Sequence, residues 1–225
     1  MPRVTTAFAA AVALLLPVRG QLLVGLTPAV GIGAGLLTTQ AAYAMSAEDW
    51  FDSGIAKAKR GDWQGAIADW TKVIEINPMY ADAYFNRGVG REKLGNLKKA
   101  IKDFTKAIKI NPNIANYYYG RGNVKSKLEN YKGAIKDFTK AIKISPNKVV
   151  YYLNRGNSKS DLGDHRGAVS DYSKAIQINP NYYQAYTNRG VELKIMGDLN
   201  GACRDWKKAV DLGDTKSIEW VRKLC

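Results

Sequence analysis

Four prolines, Pro78, Pro112, Pro146 and Pro180, stand 34 residues apart, each directly after an Asn or a Ser. A fixed period of this length excludes one or two ordinary globular domains for the 225 residues. One unit is too small to bury a core alone, so the core must lie between neighbouring units. With each proline numbered position 32, the units are 47–80, 81–114, 115–148, 149–182 and 183–214. A leader, 1–44, precedes them and a tail, 215–225, follows.

The register shows what the unit is. Position 8 is Gly54, Gly88, Gly122, Gly156 and Gly190, and position 20 is Ala66, Ala100, Ala134, Ala168 and Ala202. Small residues at these places let two helices approach closely. Aromatics at position 4 (Trp50, Tyr84, Tyr118, Tyr152, Tyr186) and position 24 (Trp70, Phe104, Phe138, Tyr172, Trp206) fill the space between them. "LGN" and "LGD" near positions 14 to 16 supply a glycine helix end, then an Asn or Asp that caps the next helix. "INPN" ends the second helix, because proline lacks a donor and disfavours helix in the residue before it. Each unit is thus a hairpin, with a first helix over positions 1 to 14 and a second over 17 to 30.

This pattern resembles the tetratricopeptide repeat over residues 47–214. The form with "NRG" in the first helix and "DF" or "DY" in the second is similar to repeats common in cyanobacterial and other bacterial members. The resemblance implies an all-α, right-handed solenoid of five hairpins. The sequence departs from the family at position 11, often Tyr there, which reads Lys57, Arg91, Lys125, Lys159 and Leu193. The fifth unit has Asp214 in place of proline. In "TKSIEWVRKLC", Trp220 and Leu224 take positions 4 and 8, and leucine at 8 leaves no room for a second helix. The tail is expected to be a capping helix over the last apolar face.

The leader has no acids, two charges (Arg3 and Arg19) and two apolar stretches, and it ends in the small-x-small pattern Ala42-Tyr43-Ala44. It reads as an export signal cut before Met45, or as a retained membrane anchor within residues 7–37. The second apolar stretch, 16 residues with several glycines, is shorter than the roughly 20 residues a membrane helix needs. Cleavage lowers the formal charge from +14 to +12. Export places the chain in a periplasm or thylakoid lumen, with membrane contact possible through the N-terminus. Cys203 and Cys225 are each 11 residues from Asp214, so an antiparallel pairing brings them level. In an exported chain that favours a disulfide; the alternative is two small apolar residues.

Nothing suggests an enzyme. His165 is the sole histidine, with no neighbour in sequence that hints at a triad. No Cys/His cluster has metal-ligand spacing, so neither metal nor cofactor is expected. The remaining function is binding. By resemblance, positions 2, 5, 9, 12 and 13 line a concave groove. Phe51, Phe85 and Tyr119 at position 5, Val89, Asn123 and Asn157 at position 9, and Lys59, Lys93 and Lys127 at position 13 are the candidate contacts. An aromatic ladder beside a lysine row suits a protein partner, an extended or helical segment with apolar and acidic residues. Position 5 packing against neighbouring helices is the competing reading. The family's carboxylate clamp wants Lys and Asn where Phe51 and Ile55 stand, so it is absent. Lysines on the second helices (Lys102, Lys106, Lys109; Lys136, Lys140, Lys143) share one helical face and read as a solvated outer surface, the alternative being contact with an anionic membrane or an acidic protein. A nucleic-acid binder is the alternative, from the charge and 13 tyrosines. Recurring aromatics on family core positions argue against it.

Arg87, Arg121, Arg155 and Arg189 occupy position 7, usually apolar in the family, and position 23 is always Asp. Ser53 replaces the arginine in the first unit, so pairing inside a unit would strand Asp69. The expected pairs therefore cross units: Asp69–Arg87, Asp103–Arg121, Asp137–Arg155 and Asp171–Arg189. Asp205 would be left to Lys223 of the cap.

Overall fold

A left-handed turn and a proline, in alternation, cut the chain into hairpins. The structure, a computed structural model, describes residues 45–225; the leader, with its reading as signal or anchor, lies outside the described residues. Eleven helices and no strand occur among the described residues. The first hairpin is α1 (Ala47–Lys59) and α2 (Trp63–Ile76), the second α3 (Ala81–Lys93) and α4 (Leu97–Ile110). The third is α5 (Ala115–Lys127) and α6 (Tyr131–Ile144), the fourth α7 (Val149–Asp161) and α8 (His165–Ile178). The fifth, α9 (Tyr183–Ile195) and α10 (Leu199–Asp211), is followed by α11 (Ser217–Leu224). The architecture is an all-α solenoid.

Each hairpin closes on a missing side chain. A Cβ on Gly88 would stand 2.8 Å from the ring of Phe104, and one on Gly122 2.7 Å from Phe138. The position-24 rings, set against these glycines, are almost wholly buried in all five units. The core is completed between units: Ala83 of the second packs with Ala47 and Val73 of the first, and Tyr151 of the fourth joins Tyr118 and Ala141 of the third.

The turns follow a second rule. Asp62, Asn130, Asp164 and Asp198 accept from the backbone N–H three residues on, and that residue is always glycine. A Cβ on Gly65 would lie 2.2 Å from Asp62 Oδ2, so the cap requires the glycine. Lys99 stands there in the second unit, and Asn96 makes no side-chain cap bond. Ahead of each cap, Gly61, Gly95, Gly163 and Gly197 take positive φ. The third unit puts Glu129 in that conformation, at φ 59°.

The solenoid ends by changing one residue. Asp214, buried, accepts from Thr187 Oγ1, Ser217 Oγ and the Lys216 N–H, and so starts α11 where proline would start another hairpin. Trp220 of α11 packs on Trp206, and Cys203 of α10 is disulfide-bonded to Cys225. The bridge closes a loop of 22 residues, a length at which a crosslink contributes roughly 3 kcal/mol.

A left-handed conformation is costly for any residue with a Cβ. Replacing Glu129 with Gly should therefore raise the unfolding free energy by about 0.5–1 kcal/mol, read as a higher urea midpoint at unchanged m-value. A lower midpoint would show that the Glu129 side chain contributes more than its backbone costs.

Candidate binding groove

The first helices touch across units, α3 to α5, α5 to α7 and α7 to α9, so they form the inner wall of the curve. The second helices lie outside. Polar bonds run along the inner wall. Tyr151 Oη donates to Asn116 Oδ1 at 2.7 Å, and in the same register Tyr117 bonds the Asp82 carboxylate. Asn154 Nδ2 donates to Tyr119 Oη and Asn123 Oδ1, at 2.9 and 3.0 Å. One unit on, Asn188 Nδ2 donates to Asn157 Oδ1, which also accepts from Tyr172 Oη.

The candidate contacts divide into wall and surface. Phe85 lies 5.6 Å from the Phe104 ring and 5.2 Å from Tyr117, and Tyr119 packs on Phe138 and Tyr151. Phe51 stacks on Tyr80. These rings are half-buried, and Val89 packs beside Phe85. Further along the same row, Leu153 and Thr187 are buried. Lys59, Lys93 and Lys127 are exposed. Lys127 pairs with Glu92 at 2.6 Å, and the Lys93 ammonium sits over the Trp63 ring. Asn123 and Asn157 are half-buried, with their carbonyl oxygens accepting bonds from the next unit, and the Asn123 side chain also bonds Tyr119. At the far end a cleft of about 110 Å³ opens between Tyr183, Asn188 and Lys216.

The arginines do not pair as the register suggests. Instead of Asp69–Arg87, Asp103–Arg121, Asp137–Arg155 and Asp171–Arg189, each arginine binds the Asp of its own hairpin. Arg87 holds Asp103 through Nε and Nη2 at 3.0 and 2.9 Å; Arg121–Asp137, Arg155–Asp171 and Arg189–Asp205 repeat the fork. Positions 7 and 23 face each other across one hairpin because both flank the glycine–aromatic contact. The remaining nitrogen, Nη1, does reach the previous unit: Arg87 to Thr71, Arg121 to Thr105, Arg155 to Thr139 and Arg189 to Ser173. Asp69 is not stranded, since Ser53 Oγ and Lys57 Nζ bind it at 2.6 and 2.7 Å. Nor does Lys223 serve Asp205; it pairs with Glu219.

This explains position 11. Lys57, Arg91, Lys125 and Lys159 bring a cation to the buried Asp of their own units. The fifth unit has Leu193 there and holds Asp205 with the Arg189 guanidinium; hydrogen bonding to that carboxylate is the main cause that raises Arg189 above its usual pKa.

His165 Nδ1 lies 2.6 Å from Glu192 Oε2, and Ser160 Oγ donates to Glu192 Oε1 at 2.5 Å. This trio has no sequence signature, because Glu192 replaces the Gly, Val or Ser found at position 10 of the three preceding units. Serine and histidine each bond a different oxygen of one carboxylate, which is not the serine–histidine–carboxylate order of a hydrolytic triad. Among the described residues no three His, Cys, Asp or Glu side chains gather as a metal set, and no helix is long and apolar enough to cross a membrane.

Stacked helical hairpins with a polar-laddered inner wall define a repeat scaffold that offers a groove to its partners. The family is the tetratricopeptide repeat: its models match residues 81–114, 115–148 and 149–182, with further repeat matches over 54–90 and 172–204, and the chain belongs to it. A crystal structure of MamA is similar, with 25% identity, TM-score 0.69, and 73% of this chain and 96% of that one covered. MamA from Desulfovibrio magneticus RS-1 (residue 41 to the end) shares 19% identity over 75% of this chain and 97% of that one, at TM-score 0.71. YrrB, a TPR protein with an unusual peptide-binding site, shares 22% identity over 80% and 93%, at TM-score 0.69. No curated protein matches the sequence.

The shared load on the buried Asp row can be measured. Arg189→Leu should destabilise more than Arg121→Leu, by about 1 kcal/mol or more, since Asp137 keeps Lys125 while Asp205 has Leu193 in that place. Equal losses in parallel urea titrations would show that position 11 does not share the load. A second expectation concerns alkaline pH, because burial pushes the Tyr151 hydroxyl up to about 12. A raised folded-state pKa means that the unfolded chain ionises first, near 10, so this stabilisation is complete below pH ~10 and vanishes as pH climbs through about 12. Tyr151→Phe should flatten the stability profile in that window, which alkaline denaturation followed by circular dichroism would read.

Proposed function

We propose that the chain is a non-catalytic scaffold that holds an extended protein segment in its inner groove, across the second to fourth hairpins. The observation that carries this is the pair Asn123 and Asn157. They recur one unit apart and half-buried, their carbonyls accepting from the next unit and their amide N–H groups, of which Asn123's also bonds Tyr119, being the donors on this wall. Such donors suit backbone carbonyls and would fix the register of a bound segment whatever its side chains. The half-buried rings of Phe85 and Tyr119 offer apolar contact beside them. Lys59 and Lys93 on the rim, with Lys127 where it can exchange Glu92 for a partner's carboxylate, favour acidic residues in the first three units. The row ends in Asp161 and Ile195, and Ile195 is 51% exposed, which favours an apolar contact there. The likeness to YrrB, a repeat protein with a peptide-binding site, supports a peptide as the occupant.

An extracytoplasmic site, periplasm or thylakoid lumen, is part of the same proposal, with assembly or retention of another protein there as the role. The leader's composition and the Cys203–Cys225 bridge support it, because disulfides persist in oxidising compartments. Fractionation that finds the chain, still carrying residues 1–44, in the reducing cytosol would overturn that part alone. Nucleic acid is the weaker reading: none of the described aromatic side chains lies open to solvent, so bases find no stacking platform.

The groove is tested with Asn123→Ala/Asn157→Ala and with Lys93→Glu, in pull-downs from the native host followed by titration of the captured segment. The asparagine pair should weaken binding at least about tenfold, one hydrogen bond each, with little change in melting temperature. Full retention of the partner by both variants would place the binding surface elsewhere.

A further inference from the structure

The outer face of the second and third hairpins carries a charge array unlike the rest of the solenoid. On α4, Lys98, Lys102, Lys106 and Lys109 are all exposed. Lys132, Lys136, Lys140 and Lys143 repeat the same positions, 18, 22, 26 and 29, on α6. Spacings of four and three residues keep each set on one helical face, over about 16 Å at the helical rise. The only acids on the two helices, Asp103 and Asp137, are buried and already hold two cations each. Among the described residues no acid pairs with any of the eight lysines; Lys106 and Lys140 lie over the Tyr84 and Tyr118 rings. The same four positions read Gln64, Ala68, Lys72 and Glu75 on α2, where Lys72 and Glu75 cancel each other. On α8 they read Arg166, Ser170, Lys174 and Gln177.

We propose that this face docks on an anionic lipid surface. Its chemistry selects that partner over other polyanions. The charges are all lysines, compact hydrated point charges that suit a diffuse field, where arginine would suit bidentate reading of individual phosphates. A protein interface is depleted in lysine and anchored by aromatic or arginine side chains. Here no large apolar side chain is exposed on α4 or α6, and their aromatics are buried or half-buried. Single-stranded nucleic acid needs stacking rings in a groove, and the face has neither. A bilayer rich in acidic headgroups asks only for a set of cations held at one height, each lysine near the surface adding to the attraction. If residues 1–44 act as export signal or anchor, the chain meets a bilayer in any case. The face is opposite to the groove, so a bound bilayer leaves the groove open.

The test compares the full chain with two variants that lose equal charge. One is Lys102→Gln/Lys106→Gln/Lys136→Gln/Lys140→Gln; the other is Lys72→Gln/Arg166→Gln/Lys174→Gln/Lys208→Gln, taken from the second helices of the other units. Co-sedimentation uses phosphatidylcholine vesicles with and without phosphatidylglycerol, at about 0.1 M salt, where screening still permits surface attraction. The first variant should bind the anionic vesicles at least about tenfold more weakly than the parent, and the second less than about threefold more weakly. Any leader contribution is common to all three chains and cancels. Equal weakening of both variants would reduce the effect to net charge and overturn the proposal. So would tighter binding of the parent to a short DNA duplex than to the vesicles, with the loss again confined to the first variant.

Discussion

Everything in this solenoid rests on two helices of one hairpin approaching until an aromatic ring lies against a bare backbone. The position-8 glycines have no Cβ for the rings of Trp70, Phe104, Phe138, Tyr172 and Trp206 to meet, and any added atom would fall inside van der Waals contact. That closeness fixes which polar groups can find one another. Positions 7 and 23, beside the contact, are forced face to face, and a guanidinium there can reach both oxygens of its own carboxylate. A buried carboxylate is costly unless paired and hydrogen-bonded. The fork, with the position-11 cation, satisfies it.

The hairpins, their ends and their stacking are legible in the sequence, because each depends on a residue type with a single physical meaning: proline at 32, glycine at 8, Asn or Asp at the cap. Partner choice among charges is not. Matching charged groups along the register points across units, since Ser53 leaves Asp69 without an arginine in its own unit. That matching omits the Lys57 ammonium and the Ser53 hydroxyl itself, which together hold Asp69. Position 11 shows in the sequence only as a departure from the family, and its role emerges once the buried Asp row is seen beside it. The groove is half legible: its residues follow from the register, but the half-burial of Phe85 and Tyr119 depends on ring contacts between units that periodicity does not encode. Asn154 and Asn188, which hold Asn123 and Asn157, stand with Asn86 in the repeated "NRG" phrase, but the phrase does not say that their amides reach back one unit.

The two faces of the molecule have different chemistry for the same structural reason. First helices face one another around the inner curve, so their polar positions bond the next unit, in neutral pairs such as Asn154 to Asn123 and in the Lys127–Glu92 ion pair. Second helices turn outward, and nothing constrains positions 18, 22, 26 and 29 except water. That freedom is used unevenly: the second and third units fill it with lysine and the first does not.

The bidentate Arg–Asp forks thus lie inside each hairpin, while successive hairpins are joined by apolar contact, by single hydrogen bonds such as Tyr151 to Asn116 and Arg121 to Thr105, and by isolated carboxylate contacts such as Glu92 to Lys127. Stiffness is therefore concentrated within links and compliance between them, as in a jointed chain. A load that bends or stretches the molecule will alter its pitch by rotating hairpins as rigid bodies, and the width of the inner curve can change without disturbing a single Arg–Asp fork.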